Sequence, residues 1–331
     1  MSAALHDWLQ RVWYANHPAG VLLLPVSWLF GAVVFSRRWL YRSRLLRPVD
    51  VGCPVVVVGN VSVGGTGKTP LTLWLALQLR AAGLRPGIVM RGYGGSARGP
   101  RLVAADAMID EVGDEALLLA RRSGCPLAIG ADRVAAARLL VERKVDVILA
   151  DDGLQHLKLW RVAEIVVIDG ERRFGNRRLL PAGPLREPLR RLAEVDALVV
   201  NGHAVAGPEI PMSLLATDAV TLVGGSRRAL AHFVPGPVHA VAGIGNPVRF
   251  FRTLEAHGIR VIPHAFPDHH RLSREDLEFG DSLPVLMTEK DAVKCESFAQ
   301  PRHWFVPVDA VLDRDDGREL LDLVMRRARM V

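Results

Sequence analysis

Eight consecutive residues, Ser62-Val63-Gly64-Gly65-Thr66-Gly67-Lys68-Thr69, carry the clearest chemistry in the chain. They follow a β-branched run, Val55-Val56-Val57-Val58, that closes on Gly59-Asn60. They precede Pro70 to Ala82, a stretch of helical composition that stops at Gly83. Strand, glycine-rich turn and helix in that order make a phosphate-binding loop. The glycines let backbone N–H groups curl around phosphate oxygens, and the helix N-terminus adds its positive end. Lys68 reaches the β- and γ-phosphates, and the Thr69 hydroxyl can ligate Mg²⁺. Ser62 stands where the pattern G-x-x-x-x-G-K-[ST] has its first glycine. The flanking strand and helix still favour the loop over a glycine-rich turn that binds nothing.

A phosphate-binding loop needs a carboxylate to hold the metal, commonly at the end of a neighbouring apolar strand. Val147-Ile148-Leu149-Ala150-Asp151-Asp152 supplies two, although Asp-Asp-Gly is also ordinary turn chemistry. Gly113-Asp114-Glu115 opens a predicted helix; Asp114 could cap it or could deprotonate a hydroxyl, and spacing alone leaves both readings open. In Pro267-Asp268-His269-His270, adjacent histidines rarely converge on one ion, so a histidine working beside a carboxylate is preferred to zinc. Gly243-Ile244-Gly245 has Val248 where a dinucleotide fingerprint has its third glycine, which favours a tight strand-to-helix turn. Thr288-Glu289-Lys290-Asp291 superficially resembles the guanine-reading loop of GTPases, but its Lys and Asp are adjacent, which disfavours a GTPase.

These residues need a scaffold, and the sequence supplies alternating elements. Beyond the first unit, strands are predicted at Gly87 to Met90, Leu127 to Ile129, Val145 to Ala150, Glu164 to Ile168 and Ala197 to Val200. Helices are predicted at Asp114 to Ser123 and Asp132 to Arg143. Strands interleaved with helices imply an α/β fold of the P-loop NTPase type, a mostly parallel sheet with helices on both faces. After about residue 202 the turn residues thicken, and a second α/β pattern runs from Val238 to a last helix at Arg318 to Met330. The expected organisation is an amino-terminal membrane-associating segment (1–50), a P-loop core (51–202) and a smaller carboxyl-terminal α/β subdomain (203–331).

Half of the 331 residues are apolar and 23% are charged, so a sizeable core is available and disorder is excluded. The net charge of +7 favours an anionic partner: nucleic acid, an acidic membrane surface or a phosphorylated substrate. Cys53, Cys125 and Cys295 are too scattered for a disulfide framework or a metal pair, and imply a reducing compartment. From Pro18 to Ser36 there is no charge, and Arg37, Arg38, Arg42, Arg44 and Arg47 follow among aromatic and leucine residues. A signal peptide would place its positive charge before the apolar run, so none is expected. Pro25, Ser27, Gly20 and Gly31 weaken the run as a membrane span, which needs about 20 strongly apolar residues. The favoured reading is a helix in the membrane interface with the arginines on anionic headgroups; the alternative is a helix buried on the main domain.

Taken together, VVVVGNVSVGGTGKTP, MRGYGG, GDE, ADDGLQH, VVIDGERRFGN, LLPAGPLREP, VAGIGNP, FPDHH and MTEKDAVKC resemble the tetraacyldisaccharide 4'-kinase family of lipid A biosynthesis. The likeness runs in order from the apolar amino-terminal segment to at least Cys295. In that family Ser or Thr regularly stands where Ser62 stands. The resemblance implies ATP and Mg²⁺ as cosubstrates and phosphorylation of the 4'-hydroxyl of tetraacyldisaccharide 1-phosphate. It implies work at the cytoplasmic face of the inner membrane, peripheral or shallowly inserted, on an anionic membrane surface, with no nucleic acid and no obligate protein partner. Lys68 and Thr69 match the family's phosphate-loop pair, Asp114 its proposed base, and Glu115 a neighbouring Mg²⁺-linked carboxylate. Asp151, Asp152, Gln155 and His156 match the segment around nucleotide and acceptor sugar. His269 matches a histidine acting with the base, and His270 is a bystander. Arg133 and Arg186 fall at arginines associated with the transition state or acceptor phosphate. The rival reading is a nucleotide-dependent switch or metallochaperone on the same fold.

Overall fold

The computed structural model describes residues 3–15, 17–204, 207–268 and 270–329. Three helices come first: α1 (Ala3–Tyr14), α2 (Ala19–Leu22) and α3 (Leu24–Arg42). Alternation then follows as β1 (Val55–Gly59), α4 (Lys68–Ala81), β2 (Pro86–Met90), β3 (Arg101–Leu102), α5 (Ile109–Val112) and α6 (Asp114–Ser123). It continues with β4 (Leu127–Ile129), α7 (Arg133–Glu142), β5 (Val147–Asp151), β6 (Ala163–Asp169), β7 (Ala197–Asn201) and β8 (Glu209–Leu215). The remainder is β9 (Asp218–Thr221), β10 (Arg227–Ala229), β11 (Pro237–Ala242), α8 (Pro247–Ala256), β12 (Arg260–Ala265), β13 (Val285–Thr288), α9 (Glu289–Cys295), β14 (His303–Val306), β15 (Asp309–Leu312) and α10 (Arg314–Arg329).

The valine run becomes β1, buried at every residue, and it occupies the interior of a sheet. Val56 and Val58 pack into the layer on one face while Val55 and Val57 pack into the layer on the other, as strand alternation requires. Each such side chain contributes about 1.5–3 kcal/mol of burial. Among the described residues this sheet has nine strands in the order β15-β8-β7-β6-β1-β5-β2-β4-β3. All neighbours are parallel except β3 on β4 and β15 on β8. A second sheet runs β10-β9-β14-β13-β11-β12, parallel from β14 through β12, with its own apolar layers on both faces. Residues beyond 203 build both sheets, because β8 pairs with β7 and β15 pairs with β8. The loop after β1 therefore leaves the carboxyl edge of a parallel sheet between β5 and β6, the place where open α/β sheets bind ligands.

The amino-terminal helices differ from the expectation in one respect. α3 docks through small and polar residues: Ser27 Oγ donates to Leu179 O at 2.8 Å and accepts from Ala182 N at 2.9 Å. A Cβ on Gly31 would stand 3.0 Å from Leu179 Cδ1, so glycine permits the close approach. Its other side leaves Val26, Trp28, Leu29, Val33 and Phe35 more than half exposed. Of the five arginines expected to face headgroups, Arg38 is held by Glu187 and Glu194, and Arg42 by Glu194. These carboxylates belong to the chain itself, so Arg38, 17% exposed, fastens the helix, whereas Arg42 is 72% exposed and lies at the surface like Arg37, Arg44 and Arg47. Among the described residues no helix is long and apolar enough to cross a membrane.

Candidate active site

Gly64 and Gly67 adopt φ of +108° and +100°, backbone that residues with a Cβ rarely take. At Gly67 a Cβ would also lie 2.9 Å from Asn201 Nδ2, at the end of β7. Asn201 Nδ2 donates to Thr66 O at 3.2 Å, and Asn60 Nδ2 donates to Thr66 Oγ1 at 3.4 Å. The outer arm of the loop is tied to residues 184–186: Val63 N donates to Pro184 O at 2.9 Å and Arg186 N to Val61 O at 2.7 Å. Ser62, the departure from the glycine pattern, forms an isolated bridge with Leu185. The loop is thus fixed on both sides, which spares it an ordering cost when phosphate arrives.

Register in the parallel sheet sets Asp151 beside Val58, directly under the loop. Its Oδ2 accepts from Thr69 Oγ1 at 3.2 Å and its Oδ1 from Thr72 Oγ1 at 3.0 Å. Burial pushes the Asp151 carboxyl up to about 6, against the opposing pull of Lys68. Glu115 and Asp152 push in the same upward direction as burial, which places the two acidic motifs within electrostatic reach of each other. Burial also opposes ionisation of Asp152, but Lys68 and Arg186 prevail and hold its carboxyl below the ordinary value. Arg186 Nη1 lies 3.0 and 3.1 Å from the two oxygens of Asp152, and Lys68 Nζ lies 3.6 Å from Oδ1.

The structure brings Lys68, Thr69, Asp151, Asp152 and Arg186 together around the loop. Arg133, 5% exposed, feels both aspartates; burial brings its guanidinium down to about 10, and its Nη1 donates to Gly130 O at 2.9 Å. Gln155 is spent internally, donating to Asn60 O at 3.1 Å and Glu187 Oε1 at 3.0 Å. Burial, then Arg133 and Arg161, lower His156 to about 4, so this imidazole is neutral near pH 7. Its Nε2 is buried with no hydrogen-bond partner among the described residues.

Asp114 is the first residue of α6, 5% exposed, and Gly113 rather than a side chain occupies the cap position. Across from it stand two lysines of α9: Lys294 Nζ at 3.6 Å and Lys290 Nζ at 3.9 Å from Oδ2. Lys290 also lies 3.1 Å from Glu115 Oε1 and 3.1 Å from Asp268 Oδ1. His269 lies outside the described residues. His270 bonds Asp276 at 3.1 Å and stacks on Phe266, a role in packing.

Several site residues were given no role by the sequence motifs. Lys290 sat in a segment read as a failed guanine loop and quoted among the family-like motifs, with no task assigned to it. The Gly243-Ile244-Gly245 turn does more than reverse the chain: a Cβ on Gly245 would lie 3.9 Å from Gly65 N and 3.6 Å from Asp268 Oδ2. Arg249 of α8 reaches Asn201 Oδ1 at 3.3 Å and Asp169 Oδ2 at 3.6 Å. Tyr14, at the end of α1, lines a recess with Ser62 to Thr66, Asp169, Arg172 and Arg173. The motif ADDGLQH drew attention to its own residues, whereas Glu187 emerged only as the shared partner of Gln155 and Arg38.

A glycine loop on a central parallel strand, a lysine at its helix start and buried carboxylates at the next strand define a P-loop nucleotide-binding protein. The molecule's likenesses narrow this. A sequence model of the tetraacyldisaccharide-1-P 4'-kinase family matches residues 19–326. The tetraacyldisaccharide 4'-kinase of Nitrosococcus oceani is 50% identical over 321 residues, 96% of this chain and 95% of that protein. That of Alkalilimnicola ehrlichii is 54% identical over 317 residues, 92% of this chain and 91% of that one. The crystal structure of LpxK from Aquifex aeolicus in complex with ATP superposes with a TM-score of 0.80 at 29% identity, covering 93% of this chain and 99% of that chain. The chain belongs to the tetraacyldisaccharide-1-P 4'-kinase family. It is an ATP-dependent lipid kinase acting on the tetraacyldisaccharide 1-phosphate precursor of lipid A.

Proposed function

We propose that the γ-phosphoryl of ATP passes to the lipid's 4'-hydroxyl in the cleft between the phosphate loop and the amino end of α6. The observation that supports this most is the pairing of a preformed loop around Lys68 with two facing acidic groups, Asp151-Asp152 and Asp114-Glu115, within electrostatic reach of each other. Phosphoryl transfer asks a protein chiefly for positioning and charge neutralisation. Residues 62–69, Ser62 to Thr69, cradle the phosphates, and Lys68 follows the β- and γ-oxygens. Asp114 accepts the hydroxyl proton, and His269, far from it in the sequence, is assigned to act with it, while Arg186, Arg133 and His156 form the acceptor side and Gln155 braces it through Asn60 and Glu187.

The donor set suits Mg²⁺. Thr69 offers a hydroxyl and Asp151 a carboxylate that burial makes costly to ionise, a cost that a cation offsets. No group of three or more His, Cys, Asp or Glu able to hold a metal occurs among the described residues, and Mg²⁺ usually relies on one or two carboxylates plus waters and substrate phosphates. Thr69 and Asp151 would hold it, with Asp152 and Glu115 in reserve. When bound it neutralises charge on the phosphates.

The exposed apolar side of α3 and the outward arginines Arg37, Arg44 and Arg47 support docking on an anionic membrane surface. A substrate with acyl chains stays in a bilayer, so the enzyme works at the cytoplasmic face of the inner membrane, peripheral or shallowly inserted. The test is incubation of purified protein with γ-labelled ATP, Mg²⁺ and the disaccharide 1-phosphate in detergent. Label should enter the lipid fraction, and its absence overturns the proposal.

A further inference from the structure

The two sheets meet where α6 packs on α9, and ion pairs flank the apolar part of that contact. Arg122 of α6 pairs with Glu289 of α9 at 2.9 Å, and Lys290 turns the other way, into three carboxylates. Two of those, Asp114 and Glu115, belong to the first sheet's helix; the third, Asp268, belongs to the segment that follows β12 of the second sheet. The Lys290 side chain is only 13% exposed. It stands on a fixed base. Thr288 caps α9, and the neighbouring Asp291, fully buried, accepts from Gly243 N at 2.8 Å and from Thr288 Oγ1 at 2.6 Å.

An ammonium withdrawn from water persists only when paired, and the carboxylates around this one raise its pKa against the effect of burial. The reverse dependence matters more. Asp268 could not settle beside Asp114 and Glu115 without a cation between them, because like charges in a site of low dielectric repel. Lys294 is already engaged by Asp291 at 2.9 Å, so Lys290 is the group placed to bridge the two sides.

We propose that Lys290 is a positioning residue that fastens the Asp268 segment to the amino end of α6. It thereby holds Asp268 beside Asp114, the residue assigned above to accept the hydroxyl proton. This inference rests on that assignment and adds a part that fixes the chain around it. Phosphoryl transfer tolerates little misplacement, and roughly an ångström of error can cost about a hundredfold.

The test uses the full chain with three substitutions. Lys290→Met keeps the stem and removes the charge, Lys290→Arg keeps the charge, and Asp268→Asn removes only the partner on the second-sheet side. Lys290→Met and Asp268→Asn should each lower kcat by about tenfold to a hundredfold while the KM for ATP stays within about threefold. The double variant should be little worse than the worse single, since residues acting as one unit lose additivity. Lys290→Arg should recover most of the rate. Amide hydrogen exchange over residues 264–268 should quicken in both charge-removing variants and stay unchanged over residues 62–69. A wild-type kcat and wild-type exchange in Asp268→Asn would overturn the positioning role, and so would losses that multiply in the double variant. If Lys290→Met fails to fold, Asp268→Asn alone carries the same decision. The unmutated protein is assayed beside them: no label transfer there overturns the proposed function, whereas transfer there with unimpaired variants overturns the role of Lys290 alone.

Discussion

Lys68 can leave its resting partner with that partner still paired. Asp152 is held by both Arg186 hydrogen bonds as well as by the ammonium 3.6 Å away, so a phosphate can draw Lys68 off while the carboxylate stays paired. Lys68→Ala should therefore fold with a thermal midpoint within a few degrees of the parent, yet lose about a thousandfold in transfer. Activity within a few-fold of the parent would contradict the loop assignment. A second residue speaks to stability. His303 is 1% exposed, its Nδ1 accepts from Gln300 N at 3.1 Å, and burial lowers its pKa to about 4. The folded state thus prefers the neutral ring, while the unfolded chain takes up a proton near pH 6.5. Stability from this group is complete above pH 6.5 and is lost as the pH falls from there towards 4, by about 3 kcal/mol at most. His303→Asn keeps an acceptor for Gln300 and does not titrate, so its unfolding midpoint should fall less steeply over that range. Equal slopes for the two proteins would show that His303 is not the group responsible.

At the scale of elements, the unit β1, loop and α4 was legible because everything in it is local. Four valines, spaced glycines and a helix-forming stretch are contiguous, and the observed helix begins at Lys68, inside the motif itself. Asp151 was legible for the same reason, as the last residue of an apolar run. Lys290, Arg249 and Tyr14 were not, because each reaches the site through packing between elements far apart in the chain. α1 shows this well: Trp13 Nε1 donates to Pro181 O at 2.9 Å and Asn176 N donates to Trp13 O at 2.9 Å. The helix is thereby clasped to the same 176–186 strap that steadies the outer arm of the phosphate loop. Trp13, 6% exposed, should be the anchor, and Trp13→Ala removes a buried aromatic worth about 3–5 kcal/mol of fixation. Loss of that anchor should withdraw Tyr14 from the recess and raise the KM for ATP several-fold, with kcat at saturating ATP nearly intact. An unchanged KM for ATP would mean that α1 supports the strap but leaves the nucleotide untouched.

For the molecule as a whole, the phosphate loop and the exposed side of α3 are joined by one continuous piece of chain. α3 grips residues 179–194 through Ser27 and Arg38, and the same stretch contacts the loop through Pro184, Leu185 and Arg186. A lipid surface met by α3 would therefore lie at a fixed distance from the transferring phosphate. Two contributions to that docking can be separated. Leu22, at the end of α2, and Trp28 and Leu29 of α3 are 81%, 70% and 68% exposed on the same amino-terminal helices, and each is worth about 1.5–3 kcal/mol if buried in lipid. Arg37, Arg44 and Arg47 each contribute about 1 kcal/mol at an anionic surface. Changing the three arginines to Gln should weaken binding to anionic vesicles, and high salt should do the same to the parent, since the Debye length shrinks from about 10 Å at 0.1 M to about 3 Å at 1 M. Changing Leu22, Trp28 and Leu29 to Ser should release more protein into the supernatant than the arginine changes do, and should leave the salt dependence of what remains intact. Both variants should raise the KM for the lipid and leave ATP affinity alone, because neither set of residues pairs with the loop. If the serine variant still sediments with vesicles as the parent does, the exposed side of α2 and α3 is not the docking face.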